Sequence, residues 1–371
     1  KLADNKNSAM FYDLNAKFNY RFNANNTISF SGYLGNDLFD INERFSSTYG
    51  STMGILSWKH KFSERLNSNL SAFYSDYKFN LELSSENFEW DSNIKSYGLK
   101  YNWFYQKSEK FKINYGIDGL YYNFNPGVVQ PTSSDSQFNY QQLDKKYALE
   151  TSAFIDFENQ ITEKLNFRYG LRYSMFYRLG SEEISTYENG QAVVFNPLYN
   201  IYQEGTPTGT ISYGKGKTIS SFDNFEPRAA LSYAFNDNTS VKASYNRMAQ
   251  YIHILSNTQS PLPMSIWTPS GPFTKPQMLD QYAMGYFKNF KDGDYSFEGE
   301  LFYKKVQNRI DYIDGADVLA NNNIEQVILN GKARSYGMEL LLRKNTGNFT
   351  GWISYTLSRA EQKTPGRTRE E

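Results

Sequence analysis

The side chains that usually carry out catalysis are scarce in this chain of 371 residues, which has no cysteine and two histidines. Without cysteine there is no disulfide, no thiolate nucleophile and no cysteine-bound metal. His60 and His253 are far apart in the sequence, which disfavours a histidine-rich metal centre. His253 could act as a base, but no Gly-x-Ser-x-Gly or zincin-type motif supplies a partner. We therefore predict that the protein is not an enzyme and has no catalytic residue, metal site or cofactor.

Three stretches resemble ligand-binding motifs without satisfying them. GTISYGKGK (209–217) has the G-x-x-x-x-G-K spacing of a phosphate-binding loop, but Gly216 stands where such a loop needs Ser or Thr. The acidic stretches NDLFDINERF (36–45) and KDGDYSFEGE (291–300) lack the spacing of an EF-hand. All three are predicted to be solvated loops and turns. Basic and acidic residues number 39 each, so nucleic acid is not expected as a partner.

A long, proline-rich stretch, QYIHILSNTQSPLPMSIWTPSGPF (250–273), is the strongest candidate for binding chemistry. Its aromatic rings offer flat surfaces on which sugars or chelates can stack, and binding residues often lie on loops of a rigid scaffold. The alternative is that these rings only pack the loop against its neighbours. The predicted ligand contacts are Tyr251, His253, Trp267 and Phe273.

The elements that must position this loop are visible in FEPRAALSYAFNDNTSVKASYNRMAQY (225–251), which alternates apolar and polar residues on both sides of an NDN turn. Leu231 and Tyr233 fall on one face, whereas Arg228 and Ser232 fall on the other. This period of two predicts a half-buried antiparallel hairpin. The same pattern predicts about fourteen strands of roughly 12–19 residues along the chain. They are expected near 9–22, 27–39, 47–62, 68–84, 92–107, 111–124, 147–160, 165–179, 223–235, 239–251, 279–290, 295–313, 333–346 and 349–362.

Strand length and connection length together predict where this sheet lies. Soluble strands usually have about 5–6 residues, whereas a membrane strand needs about 9–11 tilted residues and extends beyond the bilayer. Short turns alternate with long links near 125–146, 180–222, 252–278 and 314–332, which places the short turns at one end of the sheet. Aromatic residues make up 17% of the chain although mean hydropathy is −0.66. We predict an all-β fold, a transmembrane antiparallel up-and-down β-barrel; a large soluble all-β repeat protein is the alternative.

The two faces of this barrel receive different assignments. The apolar face is predicted to contact lipid, and an aromatic girdle is predicted beside the short turns, although aromatic residues are also good strand formers. Its members would be Phe22, Phe62, Phe235 and Phe290. The polar face is predicted to line the lumen, and its basic residues are candidates for a pore lining. These lumen-facing candidates are Arg168, Arg172, Arg228 and Lys242.

Four segments resemble TonB-dependent outer-membrane receptors. EPRAALSYAFNDNTSVKASYNRMAQ (226–250) resembles a family segment in which PR, an apolar strand, an Asn/Asp turn and ASY follow in that order. KPQMLDQYAMGYFKNF (275–290) resembles the family strand that begins KPE. LFYKKVQNRIDY (301–312) and ARSYGMELLLRKNTGNFTGWISYTLSRAE (333–361) resemble the strands that follow. The resemblance is clearest over residues 226–361.

The resemblance implies a 22-stranded barrel filled by an N-terminal plug that carries the TonB-engaging segment. Residues 1–371 would form one partial barrel domain, an internal piece without the plug and the terminal strands. The implied function is an outer-membrane receptor of a Gram-negative bacterium that binds a nutrient at its outer loops and imports it with TonB-supplied energy. Implied partners are outer-membrane lipid, a small-molecule, glycan or chelate ligand, and the TonB complex through the plug. The alternatives are a passive 14-stranded channel and a surface adhesin-type structural barrel.

Overall fold

A computed structural model describes residues 6–42, 44–256, 265–316, 318 and 321–365. Long strands dominate the fold, and we label those of the main sheet β1 to β14 in chain order. Their bounds are Ser8–Asn23, Asn26–Ile41, Phe45–Lys61, Leu66–Leu83, Phe88–Gln106, Phe111–Pro131, Lys146–Gln160, Leu165–Leu179, Thr218–Asn236, Thr239–Gln250, Gln277–Phe290, Tyr295–Tyr312, Ile328–Lys344 and Gly351–Lys363.

Each of these strands pairs antiparallel with its neighbours in the chain, so the path of hydrogen bonding runs from β1 to β14 in order. A two-residue strand, Gln141–Gln142, adds to β6. The predicted up-and-down sheet of fourteen strands is therefore confirmed. Several strands run further into the long links than predicted, because backbone pairing continues there: Phe88 pairs with Pro131, and Tyr312 with Ile328.

The register places the apolar residues of successive strands on one face. Leu231 lies opposite Phe167 on β8 and Ala243 on β10, and Leu301 lies opposite both Met284 and Met338. Leu231 is 43% exposed and Leu301 is 55% exposed. A continuous apolar surface of this extent is the lipid-facing side of a membrane barrel.

The two ends of the sheet differ in their connections. At one end every connection is short, and the longest spans residues 345–350. At the other end residues 42–44 and 84–87 form short connections, whereas four connections are long. We call these four the loop cap; they comprise residues 132–145, 180–217, 251–276 and 313–327, as far as the structure describes them.

The loop cap contains its own short elements. The antiparallel pairs are Glu182–Tyr187 with Pro207–Tyr213, Val193–Asn196 with Ile201–Glu204, and Ile252–Ser256 with Ser265–Pro269. Single 3-10 turns occur at Glu188–Gly190 and Ile324–Gln326, and another, Lys291–Gly293, lies in a short turn. The glycine-rich stretch 209–217 and both acidic stretches thus lie partly in strands and not only in loops. No helix in the described residues is long and apolar enough to cross a membrane.

The main hydrophobic core lies where the loop cap meets β4, β5 and β6. Leu81, Phe88 and Trp90 are fully buried there against Leu255 and Val327 from two different loops. Gly127 on β6 makes this packing possible, because a Cβ atom at that position would lie 2.0 Å from the Trp90 ring. The loop between β12 and β13 therefore reaches strands far away in the sheet order, which requires the sheet to curve.

Candidate functional site

Tyr251 begins the long loop between β10 and β11 and fixes it to the polar face of the sheet. Its ring stacks on Phe176 of β8, with ring centroids 4.8 Å apart and planes 2° apart. Its hydroxyl lies 2.7 Å from Ser174 Oγ and accepts a hydrogen bond of 2.9 Å from Asn224 Nδ2. With 3% exposure, Tyr251 is an anchor of the loop in this conformation.

His253 ties the beginning of the same loop to its end. Its side chain is 1% exposed, and Gln277 Nε2 lies 3.2 Å from Nδ1. Since an amide nitrogen can only donate, Nδ1 accepts, and Nε2–H donates to Ser270 Oγ at 2.8 Å. Burial, with a smaller effect of Arg309, lowers the pKa of His253 from 6.5 to about 4. His253 is therefore neutral at pH 7 and holds two chain segments together.

The other two predicted contacts are half-buried. Trp267 packs with Phe124, Phe176 and Tyr251 in a second aromatic cluster. Phe273 meets Tyr187 edge to face, with ring centroids 5.3 Å apart. The structure thus brings Tyr251 and Trp267 into one cluster, whereas Phe273 contacts a different loop. Their role as ligand contacts stays a prediction.

Loops distant in sequence interlock in the cap. The Tyr187 hydroxyl donates to Glu325 Oε1 at 2.8 Å, and Ser185 Oγ donates to Asn323 Oδ1 at 3.0 Å. Burial, and then the charge of Glu325, raises the pKa of Tyr187, which therefore remains a hydrogen-bond donor. Gln326 Nε2 donates to the carbonyl of Gly205 at 2.9 Å. These contacts join residues 180–217 to residues 313–327.

The remaining loops close against this pair. Asn308 Nδ2 donates to the Pro276 carbonyl at 2.8 Å, which fixes the end of the loop between β10 and β11 to β12. Leu143 of the loop between β6 and β7 is buried in the main core. The space between Leu143, Trp267 and Ile324 measures only about 10 Å³. The cap is therefore closely packed where its loops meet.

Below the cap, the polar face carries a charge network centred on Arg172. Its guanidinium contacts both oxygens of Asp118 at 3.1 and 3.2 Å, Glu150 at 3.5 Å and Glu226 at 3.8 Å. Asp118, Glu150 and Glu226 were not predicted from the sequence. The alternation pattern could have placed Glu226 on the polar face, because Glu226 and Arg228 are two residues apart on the same strand. Bringing all three carboxylates together around Arg172 required the register of β6 to β9.

The other three predicted lumen residues also lie on the polar face. Arg168 contacts Glu158 at 3.2 Å, Arg228 forms a bidentate pair with Asp156, and Lys242 lies 4.6 Å from the centre of the Phe287 ring. Arg168, Arg228 and Asp156 border a groove of about 510 Å³. No group of three or more His, Asp or Glu side chains suited to a metal occurs within the described ranges.

A sheet of long antiparallel strands with an apolar outer face, a charged inner face and a loop cap at one end defines an outer-membrane β-barrel. The chain matches the TonB-dependent receptor-like β-barrel family over residues 2–370 and belongs to that family. The predicted family is therefore confirmed, and so is the outer membrane of a Gram-negative bacterium as its location. The description of this family is that of receptors, and the absence of catalysis stays a prediction.

Solved structures share the fold at low sequence identity. The copper transporter OprC superposes with a TM-score of 0.67 at 12% identity over 96% of this chain and 53% of its own. The haemophore receptor HasR of Serratia marcescens superposes with a TM-score of 0.65 at 15% identity, over 94% of this chain and 54% of its own. The alcaligin receptor FauA of Bordetella pertussis superposes with a TM-score of 0.59 at 13% identity, over 95% of this chain and 54% of its own. The chain thus spans about half the length of these structures. No curated protein matches the sequence.

Proposed function

We propose that this chain forms the barrel wall and loop cap of a receptor that binds a nutrient ligand at its long-loop end and imports it with energy supplied through TonB. The family supports the class of protein. The observation that carries the proposal is the interlocked cap, because loops held on a rigid barrel are suited to selective binding. The TonB complex would act through the plug of the whole receptor.

The ligand class that fits the cap is a small molecule, a glycan or a chelate with a flat face. Of the four predicted contacts, Trp267 and Phe273 are half-buried in the cap and are the two that such a ligand would reach without movement of the loop. Tyr251 and His253 are buried, so they would contact ligand only after the loop between β10 and β11 moves. The similar solved structures are those of an alcaligin receptor, a haemophore receptor in complex with its haemophore and haem, and a copper transporter.

Arg168, Arg172, Arg228 and Lys242 are proposed to line the lumen. The same residues are the observation that favours the second candidate, a passive channel, because a charged lining suits ion flow. Their pairing with acidic groups weakens that alternative, since Asp118, Asp156 and Glu158 neutralise three of the four charges locally. No comparable observation favours the surface adhesin.

Planar-bilayer conductance separates the two candidates without knowledge of the ligand. The receptor that carries this chain should give no stable single-channel steps, because the cap and the plug close its lumen. In cells, its uptake of ferric alcaligin, haem or copper, whichever it accepts, should disappear when TonB is deleted. Stable, discrete conductance steps, or uptake unchanged without TonB, would instead establish a passive channel.

A further inference from the structure

Two ordered rows of side chains cross the apolar face near the long-loop end. The first row contains tyrosines that are successive cross-strand partners on β10, β11, β12 and β13: Tyr245, Tyr282, Tyr303 and Tyr336. The ring centroids of Tyr245 and Tyr282 are 5.0 Å apart, and those of Tyr303 and Tyr336 are 6.4 Å apart. Tyrosine prefers the boundary between lipid tails and headgroups. This row therefore marks a membrane boundary.

Two residues further towards the loops, the next row on the same face is charged. Its cross-strand partners are Arg247, Asp280, Lys305, Arg334 and Glu361. Arg359 lies beside it, opposite Tyr336. We call these six residues the charged row.

The height of the charged row agrees with the outer boundary of the membrane. Asp280 lies about ten residues from Phe290 at the short-turn end of β11, which is roughly 33 Å along the strand at about 3.3 Å per residue. With a strand tilt of about 40° this corresponds to roughly 25 Å across the membrane, the usual height of the apolar band. The long loops of such barrels are extracellular. The charged row therefore lies at the level of the outer-leaflet headgroups.

The charged row has more basic than acidic groups. Arg247 holds Asp280 with two hydrogen bonds of 2.8 and 3.0 Å, and Glu361 receives both Arg334 and Arg359. Lys305 forms no ion pair within 4.0 Å among the described residues. The charged row thus contains four basic side chains and two carboxylates, which leaves an excess of two positive charges.

The same order of rows occurs on another part of the barrel. Tyr74, Tyr97 and Tyr121 are cross-strand partners on β4, β5 and β6, and Asp76 and Lys95 form the next pair towards the loops. In two separate parts of the sheet, therefore, a row of tyrosines is followed by a row of charged residues towards the loops. Asp76 and Lys95 balance each other, whereas the charged row on β10 to β14 has an excess of two positive charges.

We propose that the charged row binds the phosphate groups of a phosphorylated glycolipid in the outer leaflet. Arginine and lysine are the side chains that bind phosphate best, and the carboxylates of Asp280 and Glu361 hold three guanidinium groups in place while Lys305 stays available. The tyrosine row below would contact the first carbons of the acyl chains. The proposal depends on the membrane location and not on transport, so it can fail independently of the proposed import function.

The test uses the receptor that carries this chain, purified in detergent and incubated with diphosphoryl lipid A or with its dephosphorylated form. Native mass spectrometry counts the lipid retained. The variant Lys305→Gln/Arg334→Gln should bind diphosphoryl lipid A about 10- to 30-fold more weakly, since each basic residue near an anionic surface contributes about a fivefold factor. The dephosphorylated lipid should bind weakly to both proteins.

The matched control is Lys288→Gln/Lys344→Gln, which removes two basic groups from the same face at the short-turn end of β11 and β13. It should bind diphosphoryl lipid A as the wild type does. If the first double variant does not fold, Lys305→Gln alone tests the proposal, because Lys305 holds no ion pair with any residue that the structure describes. Equal binding by wild type and Lys305 variants, or an equal loss in the control, would overturn the proposal.

Discussion

The short-turn end and the long-loop end of the barrel are stabilised in different ways. At the short-turn end the contacts are local: Leu66 N donates to Ser63 Oγ, and Leu165 N donates to Thr162 Oγ1, each across three residues. At the long-loop end Tyr187 and Glu325, which are 138 residues apart, form a hydrogen bond, and the fully buried side chains gather there. A loss at the short-turn end should therefore remain local, whereas a loss in the cap should loosen several loops together.

The largest test of this difference compares two tryptophans. Trp90 is fully buried under the cap, so Trp90→Ala should lower the free energy of unfolding by about 3–5 kcal/mol through the cavity it leaves. Trp58 is 40% exposed near the short-turn end, and Trp58→Ala should cost less. Urea titrations of each receptor variant in lipid vesicles give both values. Equal costs would contradict the placement of the main core at the long-loop end.

The two faces of the wall provide the next test. Leu231→Arg should cost about 2–4 kcal/mol if Leu231 lies near mid-bilayer, whereas Ser232→Arg should cost little because its guanidinium reaches polar groups. Both are measured by the same titrations. A spin label at Leu231→Cys should be more accessible to oxygen, and one at Ser232→Cys to a water-soluble nickel reagent. The opposite phase would show that the lipid-facing assignment is wrong.

The strands of the main sheet were predictable from the sequence because the alternation of apolar and polar residues that predicts them is a local pattern. A period of two needs only neighbouring residues, so the parity of Leu231 and Ser232 already separates the two faces, and the register confirms it. Strand ends were less predictable. Residues 125–131 contain glycine and prolines and were expected in a loop, but they pair with β5 because Trp90 packs over Gly127.

The cap could not be predicted in the same way. Its hydrogen bonds join residues such as Gln326 and Gly205, 121 positions apart, and no periodicity encodes such a pair. The aromatic, proline-rich composition of residues 250–273 predicted a loop with candidate ligand contacts. It could not reveal that His253 would be buried between Ser270 and Gln277, because that contact depends on how the loop folds back on itself.

His253 should make the cap sensitive to pH. Because its pKa is lowered from 6.5 to about 4 in the folded cap, the folded state binds fewer protons than the open loop between these values. The contribution of neutral His253 to the stability of the folded cap is therefore complete above pH 6.5 and is lost as pH falls towards 4. At pH 5 the loss in stability is about 2 kcal/mol. Hydrogen exchange of residues 251–256 and 265–276 should accelerate between pH 7 and pH 5, after correction for the intrinsic rate.

The control for this prediction is His253→Gln, which keeps a polar side chain but has no group that titrates in this range. Its exchange should show no additional pH dependence between pH 7 and pH 5. Amides of the short turn 161–164 should behave alike in both proteins, because that turn is held by local bonds. Equal pH dependence in wild type and variant would exclude His253 as its source.

The smallest expected effect concerns the bond between two cap loops. Tyr187→Phe removes the hydroxyl that donates to Glu325, which should cost about 1–2 kcal/mol because the half-buried carboxylate loses a hydrogen-bond partner. Tyr199→Phe is the matched control, since Tyr199 belongs to the same loop and is 65% exposed. If the cap is one cooperative unit, Tyr187→Phe should accelerate hydrogen exchange in both 180–217 and the described part of 313–327, while Tyr199→Phe changes neither. Acceleration confined to 180–217 would mean that the loops are stabilised separately, and that the long-loop end resembles the short turns more than its contacts indicate.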